Sequence, residues 1–186
     1  MDALNFFANV DWAEIWLATV DTMIMLFGSL LFTVLLGLPL VVLLFLCGAK
    51  QMFEQEGGYA LLALVVNSLG TLPFIILLLV VIPITVLITG TSLGVGGGIR
   101  PLVVGATPFF ARLVETALRE VDRGIIEATQ SMGATTRQII TSALLPEARP
   151  GIFAAITVTA ITLVSYTAMA GVVGAGGLGD VASRVG

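Results

Sequence analysis

The sequence contains three long apolar runs without a single charged residue, at residues 22–47, 61–89 and 151–173. A membrane-spanning helix needs about 20 mostly apolar residues, because its backbone must cross a hydrocarbon core roughly 30 Å thick. Each of the three runs reaches that length. With 58% hydrophobic and 11% charged residues, the chain has the composition of an integral membrane protein. We therefore predict an all-α fold, a polytopic bundle of transmembrane helices.

A fourth span is predicted at residues 99–118, although charged residues interrupt it. Arg112 and Glu115 stand three positions apart, so on a helix their side chains share one face and can neutralise each other. A polar segment, residues 122–149, separates this span from the last one. The prediction is a single membrane domain over residues 1–186 with four spans.

The distribution of arginine residues predicts how the chain is oriented in the membrane. The N-terminal twenty residues contain Asp2, Asp11 and Glu14 but no Lys or Arg, so they lack the cationic start of a cleavable signal peptide. Five arginine residues lie between positions 112 and 149. Short loops rich in Lys and Arg are retained on the cytoplasmic side. We therefore expect the N-terminus outside and the 122–149 segment in the cytoplasm.

The residue types that metal binding, thiol catalysis and nucleotide binding require are absent or too few in this sequence. There is no His and one cysteine, Cys47, so a metal site or a thiol nucleophile is not expected. The only lysine is Lys50, and no phosphate-binding loop can be built around it. The GAGGLG run at 174–179 matches a dinucleotide fingerprint, but only seven residues follow it. A flexible external turn at the end of the last span, or close helix packing through Gly171 and Ala175, is the better interpretation. We predict a protein that is not an enzyme and binds no metal, cofactor or nucleic acid.

The 122–149 segment, which we call the elbow, is too polar to span and too periodic for a plain loop. Apolar residues recur at helical spacing on both sides of Gly133, which predicts two short amphipathic helices meeting at a glycine turn. Pro146 disfavours helical geometry at Leu145, and Pro150 repeats the effect just before the last span, so the two short helices are expected to form a rigid elbow. Such an elbow either lies in the lipid headgroups or docks a soluble partner.

The residue order of the elbow resembles the EAA…G…I-x-LP loop of ABC-importer permeases. Glu127-Ala128-Thr129 is followed by Gly133 and by Ala143-x-Leu145-Pro146, and the substituted Thr129 and Ala143 keep small or apolar character. In that family the loop docks on a separate ATPase subunit, so the resemblance implies that ATP and Mg bind that partner and not this chain. The implied contact residues are Glu127, Ala128, Thr129, Met132, Gly133, Thr135, Arg137, Leu145 and Pro146.

A longer resemblance is to the permease subunit of bacterial methionine importers, carried by residues 67–85, 105–118, 127–140, 144–151 and 161–180. It implies a type I importer permease of the bacterial inner membrane. The implied partners are two copies of an ABC ATPase, a second permease copy in a homodimer, and an extracytoplasmic methionine-binding lipoprotein. Family members continue into a fifth transmembrane helix, so this chain is expected to lack the last helix. The alternatives are an ABC permease for another small solute and a membrane channel or assembly protein that is not a transporter.

The three charge-free spans contain no Asp, Glu or His that could form a buried proton relay. The last span carries four residues that are predicted to line a translocation pathway. These four residues fall near one stripe of the helix and combine mildly polar side chains with one methionine thioether, which adapts to apolar sulfur-bearing solutes. For any one of these residues the simpler role is helix packing or a hydroxyl bonded to its own backbone. The resemblance places the pathway of the family in the same stretch. The stripe consists of Thr162, Ser165, Tyr166 and Met169.

Overall fold

The computed structural model describes residues 11–47, 73–89 and 94–185, together with Leu64, Val66 and Ser68. Every regular element in this part is helical, which confirms the predicted all-α fold. Two π-helical segments, Ile139–Leu144 and Gly171–Ala175, join or extend α-helices. The α-helices, numbered in chain order, are α1 (Trp12–Cys47), α2 (Phe74–Thr89), α3 (Gly94–Arg119), α4 (Arg123–Ser131), α5 (Thr136–Gln138), α6 (Leu145–Glu147), α7 (Arg149–Ala170) and α8 (Leu178–Val185).

Three of the described helices are long and apolar enough to cross a membrane: Trp12–Leu43, Gly94–Arg119 and Arg149–Ala175. Phe74–Ile84 is a shorter apolar helix. The first half of the predicted second span, residues 61–72, lies outside the described residues except at three positions.

Helix α1 begins at Trp12, well before the predicted start of the first span at residue 22. The Asp11 carboxylate accepts hydrogen bonds from the backbone N–H groups of Ala13 (3.0 Å) and Glu14 (3.3 Å). An aspartate before the first helical turn pairs N–H groups that have no partner inside the helix. The start of α1 is therefore set by this cap and not by the onset of the apolar run.

Helix α3 is the central helix of the bundle, although its sequence is the least apolar of the long helices. In the most apolar part of α3, 61% of the residues are buried, against 22% in α1 and in α7. It packs against α1, α2 and α7. A helix surrounded by other helices tolerates polar residues that a lipid-facing helix would not. This position accounts for the buried Glu115, one of the charged residues that made this span hard to recognise.

The glycine-rich run at residues 94–100 is the first part of α3, where packing overrides the poor helix propensity of glycine. A Cβ on Gly98 would lie 2.8 Å from the Cβ of Ala175 and 3.0 Å from the sulfur of Met25. Glycine here lets α3, α1 and the end of α7 approach closely.

Two hydrophobic clusters form the core. The elbow-side cluster joins α3 to the elbow and the start of α7, and the distal cluster joins α3 to α2 and the end of α7. The buried members of the elbow-side cluster are Val41, Val66, Phe110, Ala111, Val114, Leu118, Val121, Leu144, Ala148 and Ala155. Those of the distal cluster are Met25, Phe74, Leu78, Leu102, Ala106, Leu163, Ala170 and Ala175.

The expectation that Pro146 disfavours helical geometry at Leu145 was wrong. Leu145 has helical dihedral angles (φ −65°, ψ −42°), and each proline lies in the first turn of a new helix, α6 or α7. At that position a proline removes an N–H group that needs no partner. The backbone N–H of Leu145 donates to the carbonyl of Ile140, five residues back, and this wider π-helical turn brings the chain into α6.

Helix α8 was not predicted. It follows Gly176 and Gly177, which have positive φ angles of 84° and 78°, and it returns along α1. The backbone N–H of Leu178 donates to the Thr22 hydroxyl at 2.9 Å, and the Arg184 guanidinium lies 3.2 Å from the Glu14 carboxylate.

The GAGGLG run is a tight return between two helices. A Cβ on Gly171 would lie 2.7 Å from the backbone nitrogen of Asp180, and a Cβ on Gly179 would meet the carbonyl oxygen of Ala168. Close packing therefore accounts for these glycines, as it does at Ala175.

Candidate functional site

The turn of the elbow is a Schellman motif at the end of α4. The backbone N–H of Gly133 donates to the carbonyl of Gln130 at 2.9 Å, and that of Ala134 donates to the carbonyl of Thr129 at 3.2 Å. Gly133 has a φ angle of 78°, in the left-handed region that glycine adopts without strain. The predicted glycine turn is therefore present, and its geometry requires the glycine at this position.

Both helices that flank the turn begin with side-chain caps. The Asp122 carboxylate accepts a hydrogen bond from the backbone N–H of Gly124 at 2.8 Å, at the start of α4. Thr135 and Gln138 form a capping box at the start of α5, in which the Thr135 backbone N–H donates to the Gln138 amide oxygen at 2.9 Å. These local bonds hold the two helices at a defined angle around the turn.

The inner surface of the elbow belongs to the membrane core. Leu144 and Ala148 are buried members of the elbow-side cluster, and Ile126 and Leu145 pack against it. The same cluster contains residues of α3 and α7. Because packed interiors transmit displacement and do not absorb it, a movement of the elbow has to be accompanied by these two membrane helices.

The nine predicted contact residues divide into an exposed group and a half-buried group. The half-buried residues are Thr129, Leu145 and Pro146. The Met132 side chain is 76% exposed, and it extends the same side of α4 as Ala128, four positions earlier. The exposed residues are Glu127, Ala128, Met132, Gly133, Thr135 and Arg137. The outer surface of the elbow is thus a small, partly apolar patch with one carboxylate and one guanidinium.

The predicted pathway residues share one side of α7. Ser165 and Met169 are exposed, whereas Thr162 and Tyr166 are half-buried. The Thr162 hydroxyl donates to the carbonyl of Val158 at 2.9 Å, and the Tyr166 ring stacks on Phe74 with ring centroids 3.8 Å apart. Two of the four residues therefore have structural partners within the chain, and the other two present their side chains on the surface of α7.

A buried carboxylate lies near the elbow end of α3. Glu115 is 2% exposed, and its two oxygens accept hydrogen bonds from Arg112 at 2.7 Å and Arg119 at 2.8 Å. The predicted Arg112–Glu115 pair is present. Arg119 was missed, although its position four residues after Glu115 is a recognisable helical pairing. The negative charge of a buried carboxylate in a membrane helix has to be neutralised by a positive charge, and two guanidinium groups provide it here.

The long apolar helices and the elbow packed on them define an integral membrane protein with an exposed polar segment at one end of its bundle. The chain matches the family model for the "Binding-protein-dependent transport system inner membrane component" over residues 14–185. The chain belongs to this family. It is therefore a permease subunit of a transport system and not an enzyme, as the sequence predicted.

Similar proteins with curated descriptions are named as methionine permeases. A probable D-methionine transport system permease protein MetI of Pasteurella multocida is 44% identical over 94% of this chain and 81% of its own length. The methionine import system permease protein MetP of Bacillus subtilis is 46% identical over 96% of this chain and 80% of its own length. A probable MetI of Vibrio cholerae is 52% identical over 81% of this chain and 67% of its own length.

Solved structures give the same fold. A chain described under inward-facing conformations of the MetNI methionine ABC transporter superposes with a TM-score of 0.90. It is 46% identical and is matched over 93% of this chain and 80% of its own length. An amino acid ABC transporter chain at 18% identity and a TM-score of 0.74 shares the fold alone.

Proposed function

We propose that this chain is the methionine-translocating permease subunit of an ATP-driven importer and that its elbow docks on a separate ATPase. Relatives at 44–52% identity carry names that specify methionine, and the superposed structure is described as a methionine ABC transporter. The single observation that carries the coupling part of the proposal is the elbow itself. Its outer surface is exposed, and its inner surface is part of the core that holds α3 and α7.

The ATPase provides the energy because this sequence has no phosphate-binding loop, so ATP and Mg bind the partner. Glu127 and Arg137 are exposed and available for charged contacts. Ala128, Met132 and Gly133 are also exposed and provide a small, mostly apolar surface. A nucleotide-driven change of state requires the two states to differ in their contacts with the ATPase. Displacement of the elbow by the ATPase would pass through Leu144 and Leu145 to α3 and α7.

The pathway lies between two copies of the chain in this proposal. A bundle of this size encloses little space, and the exposed stripe of α7 with Ser165 and Met169 needs a second surface to form a closed passage. A two-fold axis beside α7 supplies it and places one elbow over each of two ATPase subunits. An extracytoplasmic methionine-binding lipoprotein delivers the solute from the opposite side. In this arrangement the N-terminus faces outward and the elbow faces the cytoplasm.

The test is ATP-dependent uptake of labelled methionine by cells that lack their own methionine importers. The cells express this permease with an ATPase and a binding protein encoded beside it. Glu127→Lys reverses the charge at the exposed elbow, and we expect a loss of uptake of at least about tenfold, together with weaker co-purification of the ATPase. Glu120→Lys is the matched control, because Glu120 is also exposed but lies outside the contact surface.

Three outcomes distinguish the parts of the proposal. Equal uptake by the Glu127→Lys and Glu120→Lys variants would reject Glu127 as a coupling contact. Absent uptake with an ATPase that still co-purifies would reject methionine as the solute and retain the permease. Loss of co-purification from the wild-type chain would reject the ATPase partnership and favour a membrane protein that is not a transporter.

A further inference from the structure

A groove of about 770 Å³ opens between the end of α1 and the elbow. Leu38 and Leu43 form part of its wall on α1, and Leu145 and Ile152 form part of the opposite wall. The lining is almost entirely apolar, so water would not stabilise it. The groove is distinct from the exposed outer surface of the elbow around Gly133.

The groove lies near the ends of two long apolar helices. Its α1 wall, from Leu38 to Leu43, is in the last part of the charge-free run 22–47, and Arg149 is the first residue of the membrane-spanning part of α7. An arginine at the end of a span extends to the bilayer interface, so the mouth of the groove is expected at that depth. An occupant has to present an apolar part and a polar part at this depth.

Among the described residues that line the groove, Arg149 is the one ionisable side chain. It is exposed and forms no ion pair with any residue in the described part of the chain. A guanidinium carries its donors in a planar fork that matches phosphate and carboxylate groups. The mouth of the groove thus offers a positive charge above an apolar wall.

We propose that the groove binds an anionic phospholipid, with its phosphate at Arg149 and an acyl chain along the wall formed by α1 and Ile152. Basic pockets between membrane helices bind anionic headgroups in this way. A free phosphate would leave the apolar wall uncovered, and a zwitterionic lipid such as phosphatidylcholine would bring its phosphate with a quaternary ammonium cation beside the guanidinium, which weakens the contact. The lipid would contact α1 on one side and Leu145 of the elbow on the other, and so would join the elbow to the first membrane helix.

The experiment is native mass spectrometry of the full chain purified in detergent and titrated with phosphatidylglycerol or phosphatidylcholine. Phosphatidylglycerol is expected to bind about tenfold more tightly, the factor that one charge-assisted contact provides. Arg149→Gln should remove that preference. Arg123→Gln is the matched control, because Arg123 is an exposed arginine of the elbow outside the groove, and it should bind both lipids as the wild-type chain does.

Several results would overturn the proposal. One is equal binding of the two lipids by the wild-type chain, and another is an unchanged preference in Arg149→Gln. An equal loss in Arg123→Gln would show a diffuse charge effect, and wild-type protein that binds neither lipid would mean that a second copy or another surface covers the groove. Should Arg149→Gln not elute as a folded protein, Arg149→Lys replaces it, with an expected loss of roughly threefold because an ammonium lacks the planar fork. An unchanged preference in Arg149→Lys would then reject the site.

Discussion

Substitution of Gly133 separates the backbone requirement of the elbow turn from the space that a docking partner needs. With a φ angle of 78°, any residue with a Cβ is strained at this position by about 1–2 kcal/mol. A Cβ there would meet no atom within 4 Å, so even a large side chain has room within the chain. Gly133→Ala and Gly133→Trp therefore carry the same backbone strain and differ in the bulk they place on the outer surface.

We expect Gly133→Trp to fold in the membrane and to lose methionine uptake by at least about tenfold, equivalent to about 1.4 kcal/mol of coupling. Gly133→Ala should keep uptake within about threefold of the wild type, because strain of this size is small beside the stability of a folded domain. Initial uptake rates, normalised to permease recovered from the membrane, measure both variants. The reasoning fails if the Trp variant transports as well as the Ala variant, or if Ala alone abolishes uptake.

Substitutions at three further positions, each with a control variant, test the packing of the bundle. Glu115→Gln should lower the free energy of unfolding by about 2 kcal/mol, because its two arginine partners lose their counter-charge. The same change at the exposed Glu120 should alter the free energy of unfolding by less than about 0.5 kcal/mol. Thermal stability in detergent measures both variants. Gly179→Ala should expose α8 to limited proteolysis, because its Cβ meets a backbone carbonyl. Gly176→Ala meets open space and should cost only the backbone strain of about 1–3 kcal/mol; equal protection of both variants would contradict this packing. Tyr166→Phe should keep methionine uptake within about twofold of the wild type, because the ring stacking is retained. Tyr166→Ala should lose both uptake and thermal stability. Normal uptake and stability in the Ala variant would show that the stacking is dispensable.

The local structure of the elbow was predicted with more success than its packing. Gly133 and the caps around it are local features, so residue type and spacing were sufficient to predict a turn between two short helices. Leu145 and Pro146 are half-buried, whereas Glu127 and Met132 are exposed, and no property of the linear sequence separates these two groups. That separation depends on which face of the elbow meets α3 and α7.

Helical spacing also predicted one of the two ion pairs of Glu115 in α3. The pairing of Arg112 with Glu115 follows from their spacing, and the same rule applied to Arg119 would have found the second partner. Helix α8 had no comparable signal, because eight residues after a glycine-rich turn have too little periodicity to identify a helix. Its position is set by contacts with Thr22 and Glu14, which are more than 150 residues away along the chain.

The sequence by itself determined the membrane class, the all-α fold and the elbow, because apolar run length and glycine-turn chemistry act over a few neighbouring residues. Only the tertiary structure decided that α3, the least apolar of the long helices, is the central one. Hydropathy measures the transfer of a single helix into lipid, whereas the position of a helix in a bundle depends on which neighbours replace lipid around it. For the same reason the groove at Arg149 emerges only when α1 and the elbow are brought together.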